Sequence, residues 1–141
     1  MKKIVGTLFI TVLLVSLFGC NKNQKVVRQL NGEWEVTDYK INGTSVMSAD
    51  EEGSIKYKFE KCRVNNEDCE GVMTLNDPEK GDMPFPFKYN ISEDGTVITI
   101  KLSFFGEEDV QKGDIIEHSR SKFVWSYTED GEVQETTIEK I

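Results

Sequence analysis

The sequence predicts an all-β protein whose main domain is an eight-stranded, antiparallel, up-and-down barrel preceded by a short helical turn. Apolar and polar residues alternate in eight short runs along the chain, as in strands that are buried on one face. Glycine-containing turns separate several of these runs, and no stretch longer than about ten residues has the 3.6-residue period of a helix. With 141 residues, the chain is long enough for one domain with a core. A sandwich of two sheets is the alternative fold.

The first nineteen residues predict a signal peptide for export. Met1-Lys2-Lys3 is cationic, and the segment from Ile4 to Phe18 is almost wholly apolar. As a helix this segment would extend about 23 Å at 1.5 Å per residue, which is short of the roughly 30 Å hydrocarbon core of a bilayer. A short apolar run after positive charges is typical of a signal peptide rather than of a membrane anchor.

The sequence Leu17-Phe18-Gly19-Cys20 resembles the lipobox of bacterial lipoproteins. The resemblance implies that Cys20 is acylated and becomes the first residue of the mature protein, which the lipid chains then hold on a membrane. An ordinary signal peptide followed by an incidental cysteine is the alternative. We therefore divide the chain into a signal peptide at 1–19, a lipidated tether at 20–29 and a barrel domain at 30–141. The polar residues 21–25 are expected to be unstructured.

The charge of the chain limits its partners. The formal net charge is −8, and removal of the predicted signal peptide takes away Lys2 and Lys3 but no acidic residue. An acidic surface repels phosphate polymers and anionic headgroups, which argues against nucleic-acid binding and against electrostatic docking on a membrane. We therefore expect attachment to the cell envelope through the lipid. No acidic run follows Cys20 to indicate export to the cell surface, so we expect the periplasmic face of an outer membrane.

The predicted barrel follows a helical segment at 24–30 that would close one of its ends. The predicted strands are residues 33–41, 55–59, 69–75, 85–91, 97–102, 110–118, 123–127 and 133–141. In the first strand the alternation changes phase between Val36 and Tyr39, which predicts a β-bulge. Asp94-Gly95 and Asp130-Gly131 predict tight hairpin turns, because these residue types tolerate positive φ.

Two prolines predict a break in the pairing of the fourth strand. Residues two apart in a strand direct their N–H groups at the same neighbour, and Pro84 and Pro86 have no N–H group. One side of the start of this strand must therefore be unpaired, which predicts a gap or frayed rim at 83–87. Such a gap would be a ligand portal or, equally, an edge protected against aggregation.

The sequence Leu30-Asn31-Gly32-Glu33-Trp34 resembles the Gly-x-Trp motif at the start of the first strand of lipocalins. The long connection at 42–54 and the pattern Tyr57-x-Phe59 agree with it, and residues 30–141 resemble the lipocalin-like domains of small bacterial lipoproteins. The resemblance implies that Trp34 plugs the closed end of the barrel. It also implies that a later arginine covers this tryptophan, for which Arg120 is a loose candidate, and that the interior receives a small hydrophobic ligand.

The aromatic residues of the strands are the candidate lining of that interior. In a hollow barrel they would surround a cavity for a small apolar molecule. In a filled barrel they would form a solid core, and the loops or the outer face would bind a protein of the envelope. The sequence leaves both interpretations open. The candidate lining residues are Trp34, Tyr57, Phe59, Phe85, Phe87, Tyr89, Trp125 and Tyr127.

Cys62 and Cys69 are expected to form a disulfide, because an exported chain folds in an oxidising compartment. If the two cysteines lie directly opposite each other in paired strands, the register places Tyr57 opposite Thr74. Met73 and Leu75 would then lie on the outer face of the wall unless a bulge resets the phase. We therefore expect a bulge at Gly71.

No catalytic or metal centre is expected. Asp114, His118 and Ser121 have the chemistry of a hydrolase, but the alternation of strands would scatter them over two faces. The chain has one histidine, so the cysteine pair lacks partners for zinc. The acidic clusters at 50–52 and 107–109 lack the ligand spacing of a calcium loop. We therefore expect a non-enzymatic binding protein without a cofactor. An enzyme of unrecognised type is the alternative, and convergence of Asp114, His118 and Ser121 in one pocket would favour it.

Overall fold

The computed structural model describes residues 21–47, 53–64 and 67–141. These residues form one short helix and nine strands: α1 Lys22–Leu30, β1 Gly32–Ile41, β2 Thr44–Ser45, β3 Ser54–Phe59, β4 Cys69–Asp77, β5 Gly81–Ile91, β6 Val97–Phe104, β7 Glu107–His118, β8 Lys122–Glu129 and β9 Glu132–Lys140. The predicted signal peptide and Cys20 lie outside the described residues. Within these residues, α1 is too short and too polar to cross a bilayer.

The strands form a closed barrel in which consecutive strands are neighbours. The strand order is β2-β1-β3-β4-β5-β6-β7-β8-β9, all pairs are antiparallel, and β9 pairs again with β1. Eight strands make the wall, and β2 folds back on the end of β1. The predicted eight-stranded, up-and-down barrel is therefore confirmed, with one added strand that lies inside the connection at 42–54. The predicted bulge in β1 is also confirmed, since its register with β9 shifts between Val36 and Asp38.

Both predicted hairpin turns are present. Asp130 and Gly131 have φ of 51° and 82° between β8 and β9, and Gly95 has φ of 75° between β5 and β6. The Asp94 carboxylate accepts a hydrogen bond from Ser92 Oγ at 2.6 Å. This bond is the largest of the interactions that lower the pKa of Asp94 to about 2. Side-chain bonds of this kind hold the tight turn in place.

The register between β3 and β4 differs from the prediction. Tyr57 pairs with Met73, not with Thr74, and the pairing of the two strands is regular. The expected bulge at Gly71 was wrong because it placed Cys62 within the strand. Cys62 instead lies in the irregular segment after β3, and the change of phase falls in that segment.

The predicted disulfide is confirmed. Cys62 and Cys69 are bonded, with their Cα atoms 5.7 Å apart. Cys69 is the first residue of β4 and is 3% exposed. The bond therefore ties the irregular segment after β3 to the barrel wall. Asp68, next to Cys69, adds an ion pair with Lys101 of β6 at 2.8 Å.

The gap predicted at the two prolines is present. β5 pairs with β4 from its first residue, but with β6 only from Phe87 to Ile91. The part of β5 that contains Pro84 and Pro86 therefore has no partner on the β6 side, as missing N–H groups require. The rings of Phe85 and Phe104, from β5 and β6, have centroids 5.0 Å apart. These two side chains fill the place where the hydrogen-bonded wall is interrupted.

Helix α1 closes one end of the barrel. Val26, Val27 and Leu30 are at most 1% exposed. They lie over Trp34, whose indole N–H donates a hydrogen bond to the Leu30 carbonyl oxygen at 2.6 Å. The expectation that residues 21–25 are unstructured was wrong, because the helix begins at Lys22. Burial of its apolar face stabilises a helix that would be too short to form alone.

Lys140, not Arg120, covers the Trp34 ring. The Lys140 Nζ lies 5.1 Å from the ring centroid and donates a hydrogen bond to the Asn31 carbonyl oxygen at 2.6 Å. An ammonium group over an indole face forms a cation–π contact. Arg120 lies beside α1 in a groove on the outer surface.

Large side chains fill the half of the barrel next to α1. The rings of Phe59 and Tyr89 pack edge to face, 5.1 Å apart. Gly113 of β7 lies close to β8, because a Cβ at this glycine would lie 2.7 Å from the Ser126 carbonyl oxygen and 3.2 Å from Trp125 Cδ1. The largest fully buried side chains of this region are Trp34, Phe59, Tyr89, Phe123 and Trp125. This half of the barrel is a solid core.

Candidate ligand-binding cavity

A cavity of about 370 Å³ occupies the end of the barrel opposite α1. This volume lies within the range of about 300–1,000 Å³ that is usual for small-molecule pockets. The lining consists of aliphatic, aromatic, amide and hydroxyl side chains, and none of its residues is charged. The lining residues are Val36, Tyr39, Val46, Met47, Gly53, Ile55, Tyr57, Met73, Leu102, Phe104, Gln111, Tyr127 and Thr136.

The cavity exists because the inward side chains become smaller or more polar towards this end. On β9 the inward position changes from the fully buried Ile138 to Thr136. On β7 the inward residues are Gly113 and Gln111, neither of which is a large apolar side chain. The strands are long enough to continue the wall past the solid core, so the wall encloses space that no side chain fills.

Tyr57 forms the floor of the cavity. Its ring packs against Phe87 and Trp125 at centroid distances of 5.9 Å for each pair. Burial, with a smaller effect from Tyr39, raises the pKa of Tyr57 to about 12. Its hydroxyl therefore stays protonated at neutral pH and has no hydrogen-bond partner among the described residues. It is a hydrogen-bonding group that a bound molecule can use.

Two further tyrosines share one acceptor in the wall. The hydroxyls of Tyr39 and Tyr127 both donate hydrogen bonds to Gln134 Oε1, at 2.6 Å from Tyr127. The Gln134 side-chain amide in turn donates to Glu129 Oε2 at 3.2 Å. Burial, followed by the contact with Tyr39, raises the pKa of Tyr127. These bonds hold two lining rings in fixed positions, so this part of the cavity is formed in advance of binding.

Apolar side chains stand exposed around the mouth. Val46 and Met47 follow β2 and are 45% and 37% exposed. Phe105 lies at the turn between β6 and β7, next to the lining residue Phe104, and its side chain is fully exposed. An apolar rim gives a hydrophobic molecule a favourable first contact on the way in.

The predicted aromatic residues occupy three places. Tyr57 and Tyr127 line the cavity. Phe85 packs beside it, against the lining residue Phe104. The rest belong to the solid core: Trp34, Phe59, Phe87, Tyr89 and Trp125. The interior is thus filled in one half and open in the other. Most residues that line the cavity are not aromatic, and the alternation in the sequence does not show which inward-facing residues lie at the open end.

The residues with hydrolase chemistry do not share a hydrogen bond within the described parts of the chain. His118 Nδ1 lies 2.6 Å from Gln29 Oε1 and ties the end of β7 to α1. Asp114 lies four residues before His118 on β7, in register with Ser126. Ser121 lies in the turn after β7, where its backbone N–H donates to Ser119 Oγ.

Among the described residues, no group of three or more histidine, cysteine, aspartate or glutamate side chains is placed to bind a metal ion. The acidic cluster at 107–109 begins β7 at the rim of the barrel. The cluster at 50–52 and the predicted acylation residue, Cys20, lie outside the described residues.

The fold and the cavity define a class of protein, the small antiparallel barrels that are closed at one end and open at the other. Residues 30–125 match the family model of the lipocalin-like domain. This match covers well over half of the chain, and the protein belongs to the lipocalin-like domain family. A comparison with curated proteins finds no match.

Two solved barrels have the same fold. One is a redesigned β-barrel, mFAP1, bound to DFHBI, with a TM-score of 0.50 and 15% sequence identity over 82% of this chain and 98% of that chain. The other is EF1p2_mFAP2b bound to DFHBI, with a TM-score of 0.51 and 12% identity over 84% of this chain and 99% of that chain. At these identities the likeness establishes the fold alone.

Proposed function

We propose that this protein binds a small, uncharged, hydrophobic molecule in the open-end cavity and does not act as an enzyme. The observation that carries the proposal is the cavity of about 370 Å³ with an entirely uncharged lining. A ligand carboxylate or ammonium group placed there would lose its hydration without gaining a partner, at a cost of several kcal/mol. A neutral apolar ligand has no such desolvation cost, and the transfer of its apolar surface out of water favours binding.

The polar groups of the lining would orient the ligand. The free hydroxyl of Tyr57 lies at the floor, and the side chains of Gln111 and Thr136 belong to the wall. A few polar groups in an apolar pocket are the usual arrangement for fixing a ligand's orientation. We therefore infer a ligand with an apolar body, one or two neutral hydrogen-bonding groups and no formal charge.

We also propose that the protein works in the cell envelope, anchored through lipid on Cys20. The apolar run before Leu17-Phe18-Gly19-Cys20 supports this placement, and so does the Cys62–Cys69 disulfide, a bond typical of oxidising compartments. The outer membrane, with the barrel in the periplasm, remains our proposed location.

A cavity-filling variant tests ligand binding. Gln111 lines the cavity, whereas its neighbour Lys112 is exposed on the outer side of the same strand. We expect the chain from Asn21 onward to bind N-phenyl-1-naphthylamine, an uncharged dye that fluoresces in apolar surroundings. Gln111→Trp should weaken this binding at least about tenfold by occupying the cavity, and Lys112→Trp should leave it unchanged. Equal binding by both variants, or no binding by the wild type, would contradict the proposal.

A further inference from the structure

The closed end of the barrel carries a second concave surface, on its outer side. A groove of about 610 Å³ lies between α1, the turn after β7 and the end of β9. Its lining contains four cationic residues and no carboxylate. The lining residues are Asn21, Gln24, Lys25, Arg28, Gln29, Arg120 and Lys140, and we call this surface the basic groove.

The packing of α1 holds its cations at the groove. The groove residues of the helix recur at spacings of three and four, which places them on one face. The other face carries Val26 and Val27, both 1% exposed in the barrel core. Burial of these two valines therefore fixes the rotation of the helix and presents Lys25 and Arg28 to solvent.

None of the four cations has an acidic partner among the described residues. No carboxylate oxygen there lies within 4.0 Å of a side-chain nitrogen of Lys25, Arg28 or Arg120, and Lys140 donates to the Asn31 carbonyl oxygen instead. Nearby Lys122, in contrast, pairs with Glu117 at 3.2 Å. Unpaired arginines offer forked N–H donors that match the geometry of a phosphate group.

The groove adjoins the segment that we propose attaches the chain to a membrane. Asn21 is both the first described residue and part of the groove. The residue that precedes Asn21 in the sequence is Cys20. An anchor on Cys20, or the apolar run before it, would bring lipid headgroups to the same place. The inference below rests on this proposed attachment and is independent of ligand binding.

The cavity end of the barrel has the opposite charge. The turns and strand ends around its mouth carry the exposed Lys80 and seven exposed acids, which are Glu79, Asp82, Glu107, Glu108, Glu129, Asp130 and Glu132. β1 runs from the closed end at Gly32 to the open end at Ile41, roughly 20–25 Å along the axis for a tilted strand. The net charge of −8 therefore averages over two ends that differ in charge.

We propose that the basic groove binds the phosphate groups of anionic phospholipids in the membrane that holds the N-terminus. The barrel then stands on its closed end, with α1 against the headgroups. The mouth of the cavity and the exposed acids around it point away from the bilayer, because an anionic surface attracts the basic groove and repels those acids. The ligand would therefore enter from the aqueous phase rather than from the lipid.

Lysine reactivity tests this orientation. The full chain is reconstituted into vesicles of phosphatidylcholine alone, or with one third phosphatidylglycerol, and acetylated with a water-soluble reagent. Mass spectrometry then compares Lys25 in the groove with Lys112 on the outer wall. We expect the anionic lipid to slow acetylation of Lys25 about fivefold, the effect of one favourable cation–surface contact, without slowing that of Lys112. The protection should fall at 0.5 M salt.

Charge-reversal variants separate docking from mere closeness to the surface. Arg28→Glu with Arg120→Glu should abolish the protection of Lys25, whereas Lys56→Glu with Lys88→Glu, the same charge change at exposed outer-wall positions, should keep it. Both pairs lie on the surface, and unchanged circular dichroism would confirm that they fold.

Flotation of the vesicles reports attachment independently of docking. A chain that floats with both kinds of vesicle but shows equal Lys25 acetylation would overturn the docking proposal and keep the anchor. Protection that survives Arg28→Glu with Arg120→Glu would also overturn it. Equal protection by 10 mM inorganic phosphate without vesicles would mean a site for a free anion and would contradict membrane docking. A chain that floats with neither kind would refute attachment and docking together.

Discussion

Replacement of Tyr57 by phenylalanine should leave the barrel as stable as before, or more stable by up to about 1 kcal/mol. The Tyr57 ring contacts Phe59 and Trp125 at centroid distances of 6.0 and 5.9 Å, and phenylalanine keeps both contacts. The hydroxyl has no hydrogen-bond partner among the described residues. Its removal therefore breaks no bond of the described structure and removes a polar atom from an apolar cavity.

Tyr127 provides the matched comparison. It also lines the cavity, but its hydroxyl donates a hydrogen bond to Gln134 Oε1 at 2.6 Å. Tyr127→Phe should lower the free energy of unfolding by about 1 kcal/mol, the usual net contribution of such a bond. The same chemical change should thus have a different effect at two positions of one cavity.

Urea unfolding followed by tryptophan fluorescence measures the difference. With a slope of about 2 kcal/mol per molar urea, the midpoints of the two variants should differ by about 0.5 M or more. A Tyr57→Phe midpoint as low as that of Tyr127→Phe would show that the Tyr57 hydroxyl has a partner in the ligand-free protein. That result would refute its role as a free hydrogen-bonding group at the cavity floor.

Three further predictions follow from single observations. Cys62→Ser should lower the free energy of unfolding by roughly 2.5 kcal/mol, because the disulfide closes a loop between residues seven apart; reduced wild type should match it, and an unchanged urea midpoint would contradict the prediction. Burial raises the pKa of Tyr57 from 10 to about 12, so the unfolded chain loses this proton first and the free energy of unfolding should fall by about 2 kcal/mol between pH 10 and 12. The stability of Tyr57→Phe should depend less on pH over that range. An equal pH dependence of the variant and the wild type would show that the Tyr57 hydroxyl does not cause the loss of stability. Gly71→Ala should lower the free energy of unfolding by about 2 kcal/mol, because the new Cβ would contact the Phe87 ring and lie 2.7 Å from the Lys58 carbonyl oxygen. An unchanged thermal midpoint would contradict this prediction and show that the strands can move apart at this position.

The wall of the barrel was predictable because each strand carries its own local signal. Alternation marks the buried face of a run such as β3, and Asp130-Gly131 marks a reversal by its tolerance of positive φ. The interruption between β5 and β6 was predictable for the same reason, since Pro84 and Pro86 lack the groups that pairing requires. The register at Cys62 was not, because a disulfide does not require its cysteines to lie within regular strands.

The cavity was less predictable than the wall. Alternation shows that a side chain points inward but not how far along the barrel axis it lies, which depends on the stagger between strands. Trp125 and Tyr127 are both inward residues of β8, yet one fills the core and the other lines the cavity. The basic groove was missed because residues 21–25, which include Lys25, were expected to be an unstructured tether, and because net charge averages over the surface. The anchor on Cys20 stays a prediction.

Native mass spectrometry of the protein purified from its host envelope tests ligand binding in the cavity most directly. The wild-type protein should carry a discrete added mass that collisional activation releases as a neutral molecule. Gln111→Trp, which fills the cavity, should lack the added mass, and Lys112→Trp should retain it. A wild-type mass equal to that of the polypeptide alone, or the same added mass on Gln111→Trp, would contradict a ligand in this cavity.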